Sequence, residues 1–170
     1  MKIRLKLLIL IAVTLLLFFA IIKLERTKVL IIESQTEDVK HTILVPEKKF
    51  TLSFIHSVEK TPVYEVFEIT KDNKLILVET TFSSLGVGLP YTEDNGEFKN
   101  EHGQFKLTGL NREFTSIEMR VSPIPKHSIT VGEKTYSLLS FVASDDLVKI
   151  TAADRWMLVR RNYFTMEGTE

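Results

Sequence analysis

The residue pair best suited to chemistry in this chain is His56 and Glu65. His56 lies near the end of an alternating run, Phe50–Ser57 (FTLSFIHS), which sets Phe50, Leu52, Phe54 and His56 on one face and Thr51 and Ser53 on the other. A short loop, Ser57-Val58-Glu59-Lys60-Thr61-Pro62, then turns the chain toward Tyr64 and Glu65. If the two flanking strands pair around that loop, His56 and Glu65 meet at its mouth. A carboxylate beside an imidazole fixes its tautomer and raises its pKa, which suits acid–base work, ligand binding or a pH-sensitive contact. The alternative is a structural pair, in which the histidine closes the core and holds the loop in shape.

The other candidates are less specific. Ser83-Ser84-Leu85-Gly86-Val87-Gly88-Leu89-Pro90 places two glycines one residue apart, with Pro90 fixing the exit. It lacks the third glycine of a dinucleotide fingerprint, and strand-like sequence follows where a helix should begin, so it reads as a bulge or tight β-connection. Ser57 or Ser84 with His56 and Asp154 would compose a hydrolase triad, but no Gly-x-Ser-x-Gly elbow accompanies them. His41, His56, His102 and His127 stand too far apart in sequence to put two imidazoles on one side of an element. Glu93-Asp94 and Asp145-Asp146 lack calcium-loop spacing and read as turns. Arg155, Trp156, Arg160 and Arg161 form a basic, aromatic group that suits lipid headgroups or a partner, or else an exposed edge strand with one core tryptophan. No motif calls for a cofactor or a metal.

Strands must position these residues. Runs at Lys28–Ser34, His41–Val45, Phe50–Ser57, Val63–Thr70 and Lys74–Phe82 are predicted as strands, with Lys71-Asp72-Asn73 as a hairpin turn. An irregular stretch from Ser83 to Gly103 follows. Strand signals resume at Gln104–Thr108, Phe114–Val121, Ser128–Val131, Tyr136–Val142, Leu147–Thr151 and Trp156–Arg160, with turn residues such as Gly109, Gly132 and Asp154 between them. Gln35–Lys40 is a polar turn and the early candidate for a hinge. About ten short strands with no amphipathic helix predict an all-β fold, a single small sandwich or Greek-key barrel.

Ahead of the strands stands a different kind of segment. Leu7 to Ile22 is apolar except for Thr14, which can bond back to a helix carbonyl. With its flanks it is long enough to cross the roughly 30 Å hydrocarbon core, with Lys6 and Lys23 able to snorkel at its ends. No small-x-small cleavage site follows, which favours an uncleaved signal-anchor over a removed signal. Lys2, Arg4 and Lys6 before the run are nearly balanced by Lys23, Arg26 and Lys28 after it, so charge alone hardly sets orientation. The signal-anchor pattern implies a cytoplasmic N-terminus, with residues 1–26 as anchor and flanks and residues 27–170 as an extracytoplasmic β domain on the cell membrane. The charge balance of 22 basic and 22 acidic residues argues against a nucleic-acid partner. The absence of cysteine removes disulfides, thiolate chemistry and a lipid-anchored N-terminus.

Three segments carry a family resemblance. Phe54-Ile55-His56-Ser57-Val58, Pro62-Val63-Tyr64-Glu65-Val66-Phe67 and Phe82-Ser83-Ser84-Leu85-Gly86-Val87-Gly88-Leu89-Pro90 occur in the order of a bacterial family, domain of unknown function 1850, which the chain resembles. The resemblance implies that His56, Ser57, Pro62, Glu65, Gly86, Gly88 and Pro90 form a binding or structural cluster, and it brings no catalytic role. Members of that family are often encoded beside, or joined to, permeases of TRAP transporters that use TAXI-class solute-binding proteins. The resemblance therefore implies a non-enzymatic accessory whose partner is a TRAP permease or a TAXI solute-binding protein. The competing expectation is a small ligand-sensing or hydrolytic domain using His56, Ser57 and Glu65.

Overall fold

Alternating apolar residues along the chain fold into strands that hide one face each. The computed structural model describes residues 2–83, 96–101 and 103–160. Gly86, Gly88 and Pro90, with Ser84 and His102, lie outside the described residues. The chain divides into two compact units, one of residues 28–154 and one of residues 1–27 with 155–170.

Among the described residues the larger unit holds eleven strands in whole or in part: β1 Ile22–Ser34, β2 Lys40–Val45, β3 Lys49–Ile55, β4 Pro62–Ile69, β5 Leu75–Phe82, β6 Glu97–Glu101, β7 Gln104–Phe114, β8 Ile117–Arg120, β9 Ser128–Val131, β10 Lys134–Ser137 and β11 Leu147–Arg160. They form a four-stranded sheet ordered β2-β1-β11-β8 and a seven-stranded sheet ordered β10-β9-β3-β4-β5-β7-β6. Every pairing with a defined register is antiparallel. The all-β expectation therefore holds, and of its two forms the open sandwich is the one found. Leu30, Ile32, Ile43, Val45, Val148 and Ile150 from the smaller sheet pack in one core with Phe50, Leu52, Phe67, Ile69, Leu75, Leu77 and Ile129 from the larger. The Phe50 and Phe67 rings stack at 5.2 Å.

Several strand boundaries differ from the sequence expectation, each for a local reason. Asp154 sits inside β11 because it pairs with Lys28 rather than ending a strand. Gly109 sits inside β7, where its positive φ of 74° opens a bulge: Gly109, Leu110 and Asn111 stand against Val78 alone. The strand β6 falls within the stretch expected to be irregular, since its sequence EFKNE has no apolar alternation to announce it. Gln35–Lys40 is not a loose hinge. Ser34 Oγ accepts from the Glu37 amide at 2.8 Å, and the Thr36 hydroxyl donates to the buried Asp146 carboxylate. The Ser34 and Thr36 hydroxyls hold the Asp146 pKa below its ordinary value.

Lys28 closes one end of this unit. It points inward with Leu30 and Ile32, opposite Val45, and is only 5% exposed. Its Nζ donates to Asn73 Oδ1 at 2.7 Å and to the Lys71 carbonyl at 2.9 Å, and pairs with Asp154 at 3.1 Å. The ammonium thus joins β1 and β11 of one sheet to the β4–β5 turn of the other. That turn is the predicted hairpin, made possible by Asn73 at a φ of 64°.

The smaller unit holds helix α1, Lys2–Ile21, with the first residues of β1 and the last of β11. Thr14 Oγ1 bonds back to the Leu10 carbonyl at 2.9 Å, as expected. Counted over the described residues alone, no helix is long and apolar enough to cross a membrane.

The Lys28 arrangement makes a stability prediction. Lys28→Ala leaves Asp154 and the turn acceptors facing an apolar gap and should cost about 3–5 kcal/mol. Lys49→Ala, which breaks an exposed pair with Glu68 at 3.9 Å, should cost at most about 1 kcal/mol. Urea unfolding of the two variants in detergent measures both, and equal losses would contradict the role assigned to Lys28.

Candidate functional site

The loop between β3 and β4 is built around His56. Strand pairing ends with Ile55 opposite Pro62, whose missing N–H suits the first position of a strand. Beyond that pair the His56 amide donates to the Thr61 carbonyl at 2.9 Å, and the Lys60 amide donates to the His56 carbonyl at 3.0 Å. Lys60 takes a φ of 57° to complete the turn. The imidazole caps the same turn, since Nδ1 accepts from the Glu59 amide at 3.2 Å. An accepting Nδ1 places the ring proton of neutral His56 on Nε2. Ser57 and Val58 stand exposed at the tip.

The expected meeting of His56 and Glu65 does not occur. Glu65 pairs with Leu52 rather than with the loop mouth, four residues before His56 along β3. At a strand rise of about 3.3 Å per residue that displacement is about 13 Å. A loop of six residues cannot bring the two together, because the register is set by apolar pairs: Phe50 against Phe67 and Phe54 against Val63. A one-residue slip would turn all of them outward.

Glu65 has a different setting. It shares the inner face with its cross-strand neighbours Leu52 and Thr80, both buried. Burial raises its pKa above the ordinary glutamate value, and the positive charge of Arg112 partly opposes the rise. Arg112 reaches that face through the β7 bulge, which sets it opposite Leu77. Thr80 is 1% exposed, and its Oγ1 has no hydrogen-bond partner among the described residues. Glu65 thus presents a partly desolvated carboxyl beside a buried hydroxyl, an arrangement that can take up a proton more readily than a surface glutamate.

A second histidine stands near the base of the His56 loop. The Ile55 amide donates to the Pro125 carbonyl at 2.7 Å, which draws the segment before β9 against β3. The His127 ring then lies 5.8 Å from that of Phe54. The His127 Nδ1 is buried with no hydrogen-bond partner among the described residues, and burial lowers the His127 pKa.

Of the sequence candidates, His56, Ser57 and Pro62 share one turn, whereas Glu65 belongs to the inner face of the sheet. Asp154 is engaged by Lys28 and joins no serine–histidine pair among the described residues. No group of three His, Cys, Asp or Glu among the described residues could hold a metal ion. Thr80, Arg112 and Lys28 were not singled out by sequence reasoning. A signal existed for Lys28, a charge in phase with Leu30 and Ile32, and none for Thr80 or Arg112, whose placement depends on bulges.

A family profile described as Domain of unknown function (DUF1850) matches residues 50–138, which run from the core residue Phe50 to the buried Leu138. No curated protein and no solved structure matches the chain significantly.

The setting of Glu65 has a pH consequence. Its folded pKa is raised, so the folded state is favoured below the ordinary value of 4.5 and loses that increment as pH rises through the folded pKa. Glu65→Gln should therefore raise the Tm at pH 7.5, with the two melting curves converging at pH 4. A lower Tm for the variant at pH 7.5 would show instead that the fold needs the ionised carboxylate.

Proposed function

The chain belongs to the DUF1850 family, and from that premise we propose that it is a membrane-tethered β-sandwich serving, without catalysis of its own, as an accessory to a TRAP-type solute transporter of the TAXI class. The observation that carries the reading is the nature of α1. Leu7, Ile9, Leu10, Ile11, Val13 and Leu16 are all exposed, from 46% to 71%. At 100° per residue these positions, with the exposed Ala12, leave no gap wider than about 100° around the helix. A helix that is apolar all round needs an apolar surrounding, and a lipid bilayer supplies one. The whole helix, Lys2–Ile21, extends about 30 Å, of which the apolar part from Leu7 onward covers about 22 Å, and Lys6 can snorkel at its end. In this reading the helix is an uncleaved anchor, and the sandwich lies on the outer side of the cell membrane.

The accessory role agrees with how the signature residues are used. The His56 Nδ1 is spent on capping its own turn, so it is not available to take a proton from Ser57. Ser57 and Val58 form an exposed loop tip, the kind of feature that contacts another protein. The permease or its solute-binding protein is the partner that the family resemblance implies.

One observation favours the competing reading, a ligand-sensing or hydrolytic domain. Glu65 with its raised pKa, the Thr80 hydroxyl and Arg112 compose a polar spot on the inner face of the larger sheet. The two readings separate experimentally. Affinity purification of the tagged chain from native membranes should enrich a TRAP permease or solute-binding protein, and Ser57 should resist a phosphonate probe. Repeated purification without either component would reject the accessory role. Covalent labelling of Ser57 would establish the hydrolase.

A further inference from the structure

We propose that the β-ribbon of the smaller unit, formed by the start of β1 and the end of β11, lies in the membrane–water interface with Leu24, Trp156 and Leu158 immersed among lipid headgroups. The inference rests on the tether reading and extends it from the helix to the ribbon.

The first observation is continuity. Helix α1 ends at Ile21 and β1 starts at Ile22, with no linker between them. Leu24 lies three residues beyond the helix end, within about 10 Å of it along an extended strand. The headgroup layer on each side of the hydrocarbon is about 5–8 Å thick. A spanning α1 therefore delivers the start of β1 into that layer, and a ribbon that runs along the surface keeps Leu24 and the residues opposite it there.

The second observation is the composition of one ribbon face. Leu24 is 61% exposed, Trp156 64% and Leu158 65%. Alternation puts Leu24 and Arg26 on one face of β1, and Trp156 and Leu158 on one face of β11. The strands are neighbours in the sheet, and Gln35 donates to Leu147 while Lys28 meets Asp154. Counting back from these antiparallel contacts sets Arg26 opposite Trp156 and Leu24 opposite Leu158, so all four share a face. Glu25 falls on the other face.

Three large apolar side chains grouped on so small a surface are more than the scattered exposure of a soluble domain. Their chemistry selects the bilayer surface. Tryptophan concentrates at that boundary, with its ring in the upper acyl region and its indole N–H in the wet headgroups. Leucine adds apolar area, and the exposed Arg26 on the same face attracts anionic lipid. A face of this kind fixes the angle at which the ribbon leaves the membrane, because rotating it away would return Trp156 to water.

Trp156 is the chain's single tryptophan and so reports on this face alone. The test reconstitutes the full chain in phosphatidylcholine–phosphatidylglycerol vesicles, isolates them by flotation and measures tryptophan emission. The expected result is a blue-shifted emission, strong quenching by lipids brominated near the headgroup end of the acyl chain, and protection from aqueous iodide. The double variant Leu24→Ser, Leu158→Ser should lose part of the bromolipid quenching while still floating. A chain that floats but has Trp156 quenched by iodide and not by bromolipid would overturn the ribbon proposal and leave the tether standing. A chain that does not float would overturn the tether, and the ribbon proposal with it.

Discussion

A charged side chain buried between two sheets constrains everything around it. Lys28 is nearly sealed from water, yet its ammonium carries three donors that must all be satisfied. Asp154 of β11 meets that demand together with Asn73 and the Lys71 carbonyl, which both come from the β4–β5 turn. The arrangement fixes how β1 lies against β11 and where the β4–β5 turn must sit relative to both. Slipping β1 by one residue would turn Leu30 and Ile32 to the other face and carry Lys28 away from Asp154, so the ion cluster and the apolar pattern specify the same register. Specificity of this kind, rather than net stability, is what a buried ion pair contributes best.

The inner faces repeat the theme at Glu65. Its strand neighbours require it to face inward, and the cost of that placement appears as a raised pKa. His56 is treated differently: it lies just beyond the last strand pair, and its ring and backbone close the turn that β4 needs to return. His56 and Glu65 thus divide between shaping a loop and placing a protonatable group on the inner face of the sheet. Neither role requires them to touch.

Much of this was legible in the residues. The alternation of FTLSFIHS, the Lys71-Asp72-Asn73 hairpin and the apolar N-terminal run all reappear as β3, the β4–β5 turn and α1. The phase of Lys28 with Leu30 and of Glu65 with Val63 and Phe67 also pointed inward, for a reader counting by twos. Distances across strands were not legible, because they depend on register, and register depends on pairs that single strands do not reveal. Hence His56 and Glu65 were expected to meet and do not. Bulges hide further information: Gly109 looked like a turn between strands, whereas it lets β7 continue and brings Arg112 to the inner face. Asp154 looked like a turn residue because its partner, Lys28, stands more than a hundred positions away in sequence.

The proposed tether places the sandwich outside the cytoplasmic membrane. A direct measurement uses the absence of native cysteine and the exposed Ser57. Ser57→Cys in the full chain, expressed in its native cells, should react with a membrane-impermeant maleimide while the cytoplasmic membrane is intact. Reaction only after that membrane is permeabilised would place the sandwich in the cytoplasm and contradict the account.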